Sequence, residues 1–208
     1  MHTHNPYKFS HEYDKPIFEE CISQLKQSSG ASIEIGVYEG GASKLIIDAY
    51  QKHHPNLKHI HIGIDPFGGV PYADNETQFQ NKQLSHRYND TKRWYLQKAI
   101  VDNEDRNFLF LQLESTEYFN RFPDGYPMLI QGKKFYIDKY DLVHIDAVHA
   151  IEHVVNEINF FKNRMTPKGF IILDDWDCFD IDFIDKYMYY IGFKKYKKGQ
   201  KKMVYQYD

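Results

Sequence analysis

The stretch that most restricts how this chain can fold runs from Tyr140 to Trp176, where the pattern spells strand, helix, strand with acids at both strand ends. Asp141-Leu142-Val143-His144-Ile145-Asp146 is a short apolar run closed by a carboxylate. Ile151, Val154, Val155, Ile158 and Phe161 then recur at helical spacing and give one apolar stripe suited to covering a sheet. Pro167-Lys168-Gly169 is expected to stop that helix, and Phe170-Ile171-Ile172-Leu173 forms a second buried-type strand running into Asp174-Asp175-Trp176. A strand, crossover helix and strand in so few residues favour a parallel pair with a right-handed connection. Both carboxyl ends then share one edge, so Asp146 and the Asp174-Asp175 pair are expected to converge where open α/β sheets bind ligands. Three neighbouring carboxylates repel one another and must share protons, lie in water or hold a cation. A hard divalent ion such as magnesium is the simplest solution.

At 208 residues the chain fits one α/β domain, residues 1–208, with a helical extension over 1–30 and an insertion or lid over 67–107. A net charge of -3 without a clustered basic stripe argues against nucleic acid, and the basic tail from Lys194 to Lys202 reads as a solvated hairpin. Cys21 and Cys178 are too few for a disulfide framework and wrongly spaced for zinc, which fits a reducing, cytoplasmic compartment. No apolar run approaches a membrane span, and Met1-His2-Thr3-His4-Asn5 lacks the apolar core of a signal peptide, so neither membrane nor export is expected.

Along the chain, Asp14-Lys15-Pro16 opens a helix with an apolar stripe of Ile17, Phe18, Cys21, Ile22 and Leu25. Ala31 to Gly36 is a strand, and Val37-Tyr38-Glu39-Gly40-Gly41 turns into a helix reaching about Tyr50. Glycines there let a backbone approach a ligand, but Gly36, Gly40 and Gly41 do not follow the dinucleotide G-x-G-x-x-G spacing. His59 to Asp65 is the next strand, with its acid where a ribose diol is held in doubly wound folds. His53, His54, His59 and His61 read as surface or strand-flank histidines. Helices are expected over Thr77 to Leu84 and Asp90 to Asp102, a strand over Asn107 to Leu113, and a short helix from Glu114-Ser115-Thr116. Phe122 to Lys139 is an extended loop or hairpin. A last helix spans Asp180 to Ile191, and Phe193–Tyr196 pairs with Met203–Tyr207 in an antiparallel hairpin.

This order of features resembles the class I S-adenosylmethionine-dependent methyltransferases over roughly residues 31–207. Glu34-Ile35-Gly36-Val37-Tyr38-Glu39-Gly40-Gly41 is similar to that family's first motif and Gly63-Ile64-Asp65 to its second. Within the class, three stretches resemble the macrocin O-methyltransferase-like sugar methyltransferases: Ile64 to Pro71, Val143 to His149, and Pro167 to Trp176. The resemblance implies an α/β, doubly wound, mostly parallel seven-stranded sheet of Rossmann-like type with an antiparallel C-terminal hairpin. It implies that S-adenosylmethionine meets Glu34, Gly36 and Asp65, a set to which Gly40, Ser115 and Asp146 are added, and that Asp146, Asp174 and Asp175 hold Mg2+. Val148 stands where several relatives carry a second Asp thought to act as base, and Lys168 replaces one of a pair of glycines. His149 becomes the candidate base, because a neutral imidazole takes a hydroxyl proton near physiological pH. His149-Ala150-Ile151-Glu152-His153 also matches the H-x-x-E-H of inverted zinc proteases, a pattern that chance supplies easily in a chain with 11 His.

The expected activity is O-methylation of a small-molecule acceptor: a sugar, a nucleotide sugar or a catechol-like diol. Magnesium would chelate vicinal hydroxyls and lower the pKa of the attacked one. The alternatives are a metal-independent methyltransferase or a catalytically inactive S-adenosylmethionine-binding protein on the same scaffold. A homo-oligomer is compatible with the sequence.

Overall fold

The computed structural model describes residues 13–25, 30–67, 90–103, 107–130, 132–146, 148–178 and 180–208. The expected helix over Thr77 to Leu84 and most of the expected lid lie outside the described residues.

Nine strands are described: β1 (Ala31–Ile35), β2 (His61–Ile64), β3 (Phe108–Leu111), β4 (Tyr126–Ile130), β5 (Lys133–Ile137), β6 (Tyr140–Ile145), β7 (Met165–Leu173), β8 (Phe193–Lys198) and β9 (Met203–Tyr207). Helices α1 (Lys15–Gln24), α2 (Gly41–His53), α3 (Asp90–Asp102), α4 (Ser115–Arg121), α5 (Ile151–Phe161) and α6 (Ile181–Tyr190) accompany them. Seven strands form one sheet in the order β3-β2-β1-β6-β7-β9-β8, while β4 and β5 make a separate hairpin. The five strands from β3 to β7 in that order run parallel, and β9 runs antiparallel to both its neighbours, β7 and β8. The doubly wound, mostly parallel sheet with its closing hairpin is therefore as expected. Strand order reverses between β1 and β6, which opens a crevice at their carboxyl ends.

Strand residues alternate between two covered faces. On one face Ile33, Ile35, Val143, Ile145, Ile171 and Leu173 pack under the α5 stripe of Val154, Ile158 and Phe161 and under Ile184 and Met188 of α6. Full burial of a side chain such as Phe161 stabilises by about 2 kcal/mol. On the other face Leu142, Phe170, Ile172 and Val204 meet Phe18 and Ile22 of α1 and Ala42 and Ile46 of α2. On that second face the alternation is interrupted by polar residues: Ser32 and Glu34 on β1, His61 on β2 and His144 on β6 are all buried. Register sets Glu34 directly beside His144 and Ser32 beside His61.

Three readings of the sequence need correction. Pro167-Lys168-Gly169 does not end the helix; α5 closes at Phe161, and these residues lie inside β7. The pairing of β6 with β7 jumps from Tyr140↔Met165 to Leu142↔Phe170, so the segment bulges out of register. Lys168 takes a left-handed conformation (φ 65), and the Asp141 carboxylate accepts from Thr166 Oγ1 at 2.5 Å and from the Gly30 N–H at 3.1 Å. Of the surface and strand-flank readings of His59 and His61 the first fails: both flank or open β2 and are buried, His59 9% and His61 0% exposed. The basic tail is not wholly solvated either, since Lys202 is completely buried. No described helix is long and apolar enough to cross a membrane.

Candidate functional site

The crevice floor is the turn between β1 and α2. Gly36 (φ 88), Tyr38 (φ 50) and Gly40 (φ 83) all adopt left-handed backbone, which bends the chain sharply from strand into helix. Gly40 precedes α2 without a side-chain cap, and a Cβ placed on it would lie 2.8 Å from the Ala99 Cβ of α3. Lys92 of α3 pairs with Glu39, and its ammonium lies 4.9 Å from the Tyr38 ring centroid, so α3 is fastened across this turn. Gly36 stays partly exposed.

Asp65 holds the turn from beneath. One carboxylate oxygen accepts from the Val37 and Tyr38 N–H groups at 3.0 and 2.8 Å, and the other accepts from the Phe67 N–H at 2.6 Å. The side chain is 0% exposed, and burial pushes its carboxyl above the usual range despite those three amides. In this structure the carboxylate faces the turn.

Glu34 lies one layer deeper and is 1% exposed. It accepts from Ser43 Oγ and from His144 Nδ1 at 3.1 Å, with His61 Nε2 3.8 Å away. Burial raises its carboxyl, but the His144 and His61 contacts outweigh burial and bring it down to about 2. Burial, reinforced by Lys202, lowers the pKa of His144, while its bond to Glu34 works the other way. Its Nε2 is buried without a hydrogen-bond partner. Ser32 Oγ continues the chain to His61 Nδ1 and His59 Nε2, each at 2.8 Å. Ser115 opens α4, and its hydroxyl bonds to Glu157 of α5, a carboxyl that burial pushes up to about 7.

At the crevice edge, Asp146 and Asp174 come together as the sequence implied. The Asp146 N–H donates to Ile35 O at 2.8 Å and the Asp174 N–H to Ile145 O at 2.9 Å, which locks three strand ends side by side. Burial and the Asp174 charge raise the Asp146 carboxyl well above its ordinary value. Asp174 sits below its ordinary value, because Lys202 and the hydrogen bond from Asp146 overcome burial. Asp175 (φ 44) turns the other way, 3.4 Å from Lys201 Nζ and 3.8 Å from His149 Nε2. His149 Nε2 is also 4.0 Å from Asp146 Oδ1, so the imidazole lies between two carboxyl groups.

His149 precedes α5, and Glu152 and His153 are exposed on its first turn, so the protease-like motif does not gather into a zinc site. The expected magnesium site also requires correction. Ligand atoms of His144, Asp146 and Asp174 lie within 4.8 Å of one another, and so do those of His149, Asp175 and Cys178. The first group already has a cation, since Lys202 Nζ is 2.5 Å from Asp174 Oδ2 and 3.5 Å from Asp14 Oδ2. Burial opposes the ammonium, but Asp146, Asp174 and Asp14 raise its pKa above the usual lysine value. The second group has one carboxylate with a nitrogen and a sulfur, whereas magnesium demands an octahedron of oxygens. Asp146, Asp174 and Asp175 therefore do not fit a magnesium ion. The sequence did contain a signal for Lys202: it shares the strand parity of Val204, and Val204 faces inward.

Comparison with known proteins gives a family match. A model described as "Methyltransferase domain" matches residues 33–176. No curated protein matches. Among solved structures, the O-methyltransferase NovP aligns with TM-score 0.63 at 18% identity, covering 93% of this chain and 78% of its own. The calicheamicin methyltransferase CalS11 aligns with TM-score 0.66 at 12% identity, with the same 93% and 78% coverage. A putative caffeoyl-CoA O-methyltransferase from Staphylococcus aureus aligns with TM-score 0.58 at 10% identity, covering 93% of this chain and 82% of its own. These structural matches share the fold.

Proposed function

The chain belongs to the methyltransferase-domain family, and from that premise we propose that it transfers a methyl group from S-adenosylmethionine to a hydroxyl of a small-molecule acceptor. The observation that carries this reading is the backbone bond from Asp146 to Ile35, which sets the β6 strand end that leads to His149 beside the glycine turn at the reversal of strand order. The turn suits the donor: Gly36 has no side chain to fill the crevice, and α2 begins without a side-chain acceptor for its first amides. When bound, S-adenosylmethionine supplies a sulfonium methyl whose C–S bond breaks as an acceptor oxygen forms the new C–O bond in line.

The protein's part is to align the two reactants and receive the hydroxyl proton. His149 Nε2 is the acceptor of that proton in this reading, and Asp175 at 3.8 Å stabilises the imidazolium that results. Asp65 and Glu34 support the donor indirectly, by fixing the turn and the base of α2. Magnesium has no part in this scheme. CalS11 is described as a TDP-rhamnose 3'-O-methyltransferase, which supports sugars and nucleotide sugars as the first acceptors to try.

The test is mass spectrometry of reactions containing S-adenosylmethionine and a panel of sugars, nucleotide sugars and catechols. The expected result is an acceptor heavier by one methylene, with S-adenosylhomocysteine formed in equal amount. Failure to bind S-adenosylmethionine in calorimetry would refute the reading.

A further inference from the structure

We propose that Lys202 is a built-in counter-ion at the sheet edge: its ammonium fills the cation position at the Asp146–Asp174 pair and so keeps divalent metals out. Register places it there. In the antiparallel pairing of β7 with β9, Leu173 faces Met203, so the next step outward sets Asp174 opposite Lys202. The Lys202 side chain is 0% exposed, with Nζ 2.5 Å from Asp174 Oδ2, 3.5 Å from Asp14 Oδ2 ahead of α1, and 6.0 Å from the Phe18 ring centroid. A lysine buried this completely is retained only where carboxylates surround it. Asp14 contributes to the pocket instead of capping its own helix, because its side chain makes no cap hydrogen bond to α1. Asp175, which a three-acid metal site needs, is turned toward Lys201 and His149.

The same geometry says what lies behind the ammonium. The buried Nε2 of His144 has no hydrogen-bond partner, and ligand atoms of His144, Asp146 and Asp174 lie within 4.8 Å of one another. One imidazole and two carboxyl groups suit a divalent ion such as Mn2+ once the ammonium is gone. This inference concerns cation binding and is independent of the donor and acceptor assigned above.

The experiment is titration of the full chain with Mn2+ alone, read by calorimetry and by the loss of the free-ion electron paramagnetic resonance signal. Lys202→Met keeps the length of the stem and removes the charge. It should bind one more Mn2+ per chain than the wild type, and adding Asp146→Asn to it should abolish the extra site. Equal stoichiometry in the wild type and folded Lys202→Met overturns the proposal. Should Lys202→Met not fold, as judged by circular dichroism, Asp146→Asn in the wild-type background decides: unchanged Mn2+ stoichiometry supports the proposal, and loss of a site overturns it.

Discussion

Replacing Asp65 separates two roles that a strand-end acid can play. If its carboxylate mainly contacts the donor, substitution should weaken S-adenosylmethionine binding and leave stability intact; the geometry favours the opposite. Three N–H groups, of Val37, Tyr38 and Phe67, donate to this one side chain at 2.6–3.0 Å. A hydrogen bond to a charged acceptor contributes about 1.5–3 kcal/mol net, while relieving the burial of the carboxylate returns part of the total. Asp65→Ala should therefore destabilise by about 4 kcal/mol, a large fraction of the roughly 5–15 kcal/mol typical of a folded domain. Asp65→Asn provides the control. Its single oxygen can serve Val37 and Tyr38, but the amide NH2 then opposes the Phe67 N–H, leaving one donor unsatisfied at a cost of about 2 kcal/mol. Urea unfolding measures both, as shifts in midpoint at constant slope. Asp65 does not hold the turn if Asp65→Ala unfolds within about 0.5 kcal/mol of the wild type, the range of ordinary surface substitutions.

Three further outcomes follow from the site. Glu157 has its carboxyl raised from 4.5 to about 7, so its stabilising contribution is complete below the lower value and is lost as pH rises through the higher one. Glu157→Gln should remove that decline and be more stable than the wild type by about 3 kcal/mol at pH 8, measured by urea midpoints across pH. His149→Ala should lower kcat by about 100- to 10,000-fold with unchanged affinity for S-adenosylmethionine, read by product formation and by calorimetry. Gly40→Ala, at φ 83 and facing the Ala99 Cβ at 2.8 Å, should lose about 2 kcal/mol of stability and loosen α3, which hydrogen exchange would detect.

What the sequence made legible was whatever depends on local period. The apolar stripe of α5 and the runs of β6 and β7 are statements about residues 3 to 4 or 2 apart, and they survive folding because each element buries one defined face. The bounds of α3, Asp90–Asp102, also agree with the reading, although only Leu96 and Ala99 of that helix are buried. What was not legible depends on partners distant in sequence. Pro167-Lys168-Gly169 looks like a helix stop, and only the bulge opposite Asp141 makes it part of a strand. His59 and His61 look like surface residues until Ser32 and Glu34 of β1 arrive beside them. The acid edge was correctly located, yet its cation was not, because Lys202 reads as one more residue of a basic tail unless β9 is set against β7. Composition could not distinguish a lysine that solvates the surface from one that neutralises the interior.

That β9 lies between β7 and β8 has a consequence for how the molecule is assembled. Residues up to 175 can emerge from the ribosome and pair in parallel while the β7 edge still lacks its neighbour and Asp174 is still hydrated. Arrival of Met203–Tyr207 seals that edge and delivers the ammonium in the same motion, so shielding of the open strand and neutralisation of the acids become one event. Shortening the chain before position 202 would leave a nascent sheet with an adhesive flank and an unbalanced negative charge at the rim of its own crevice.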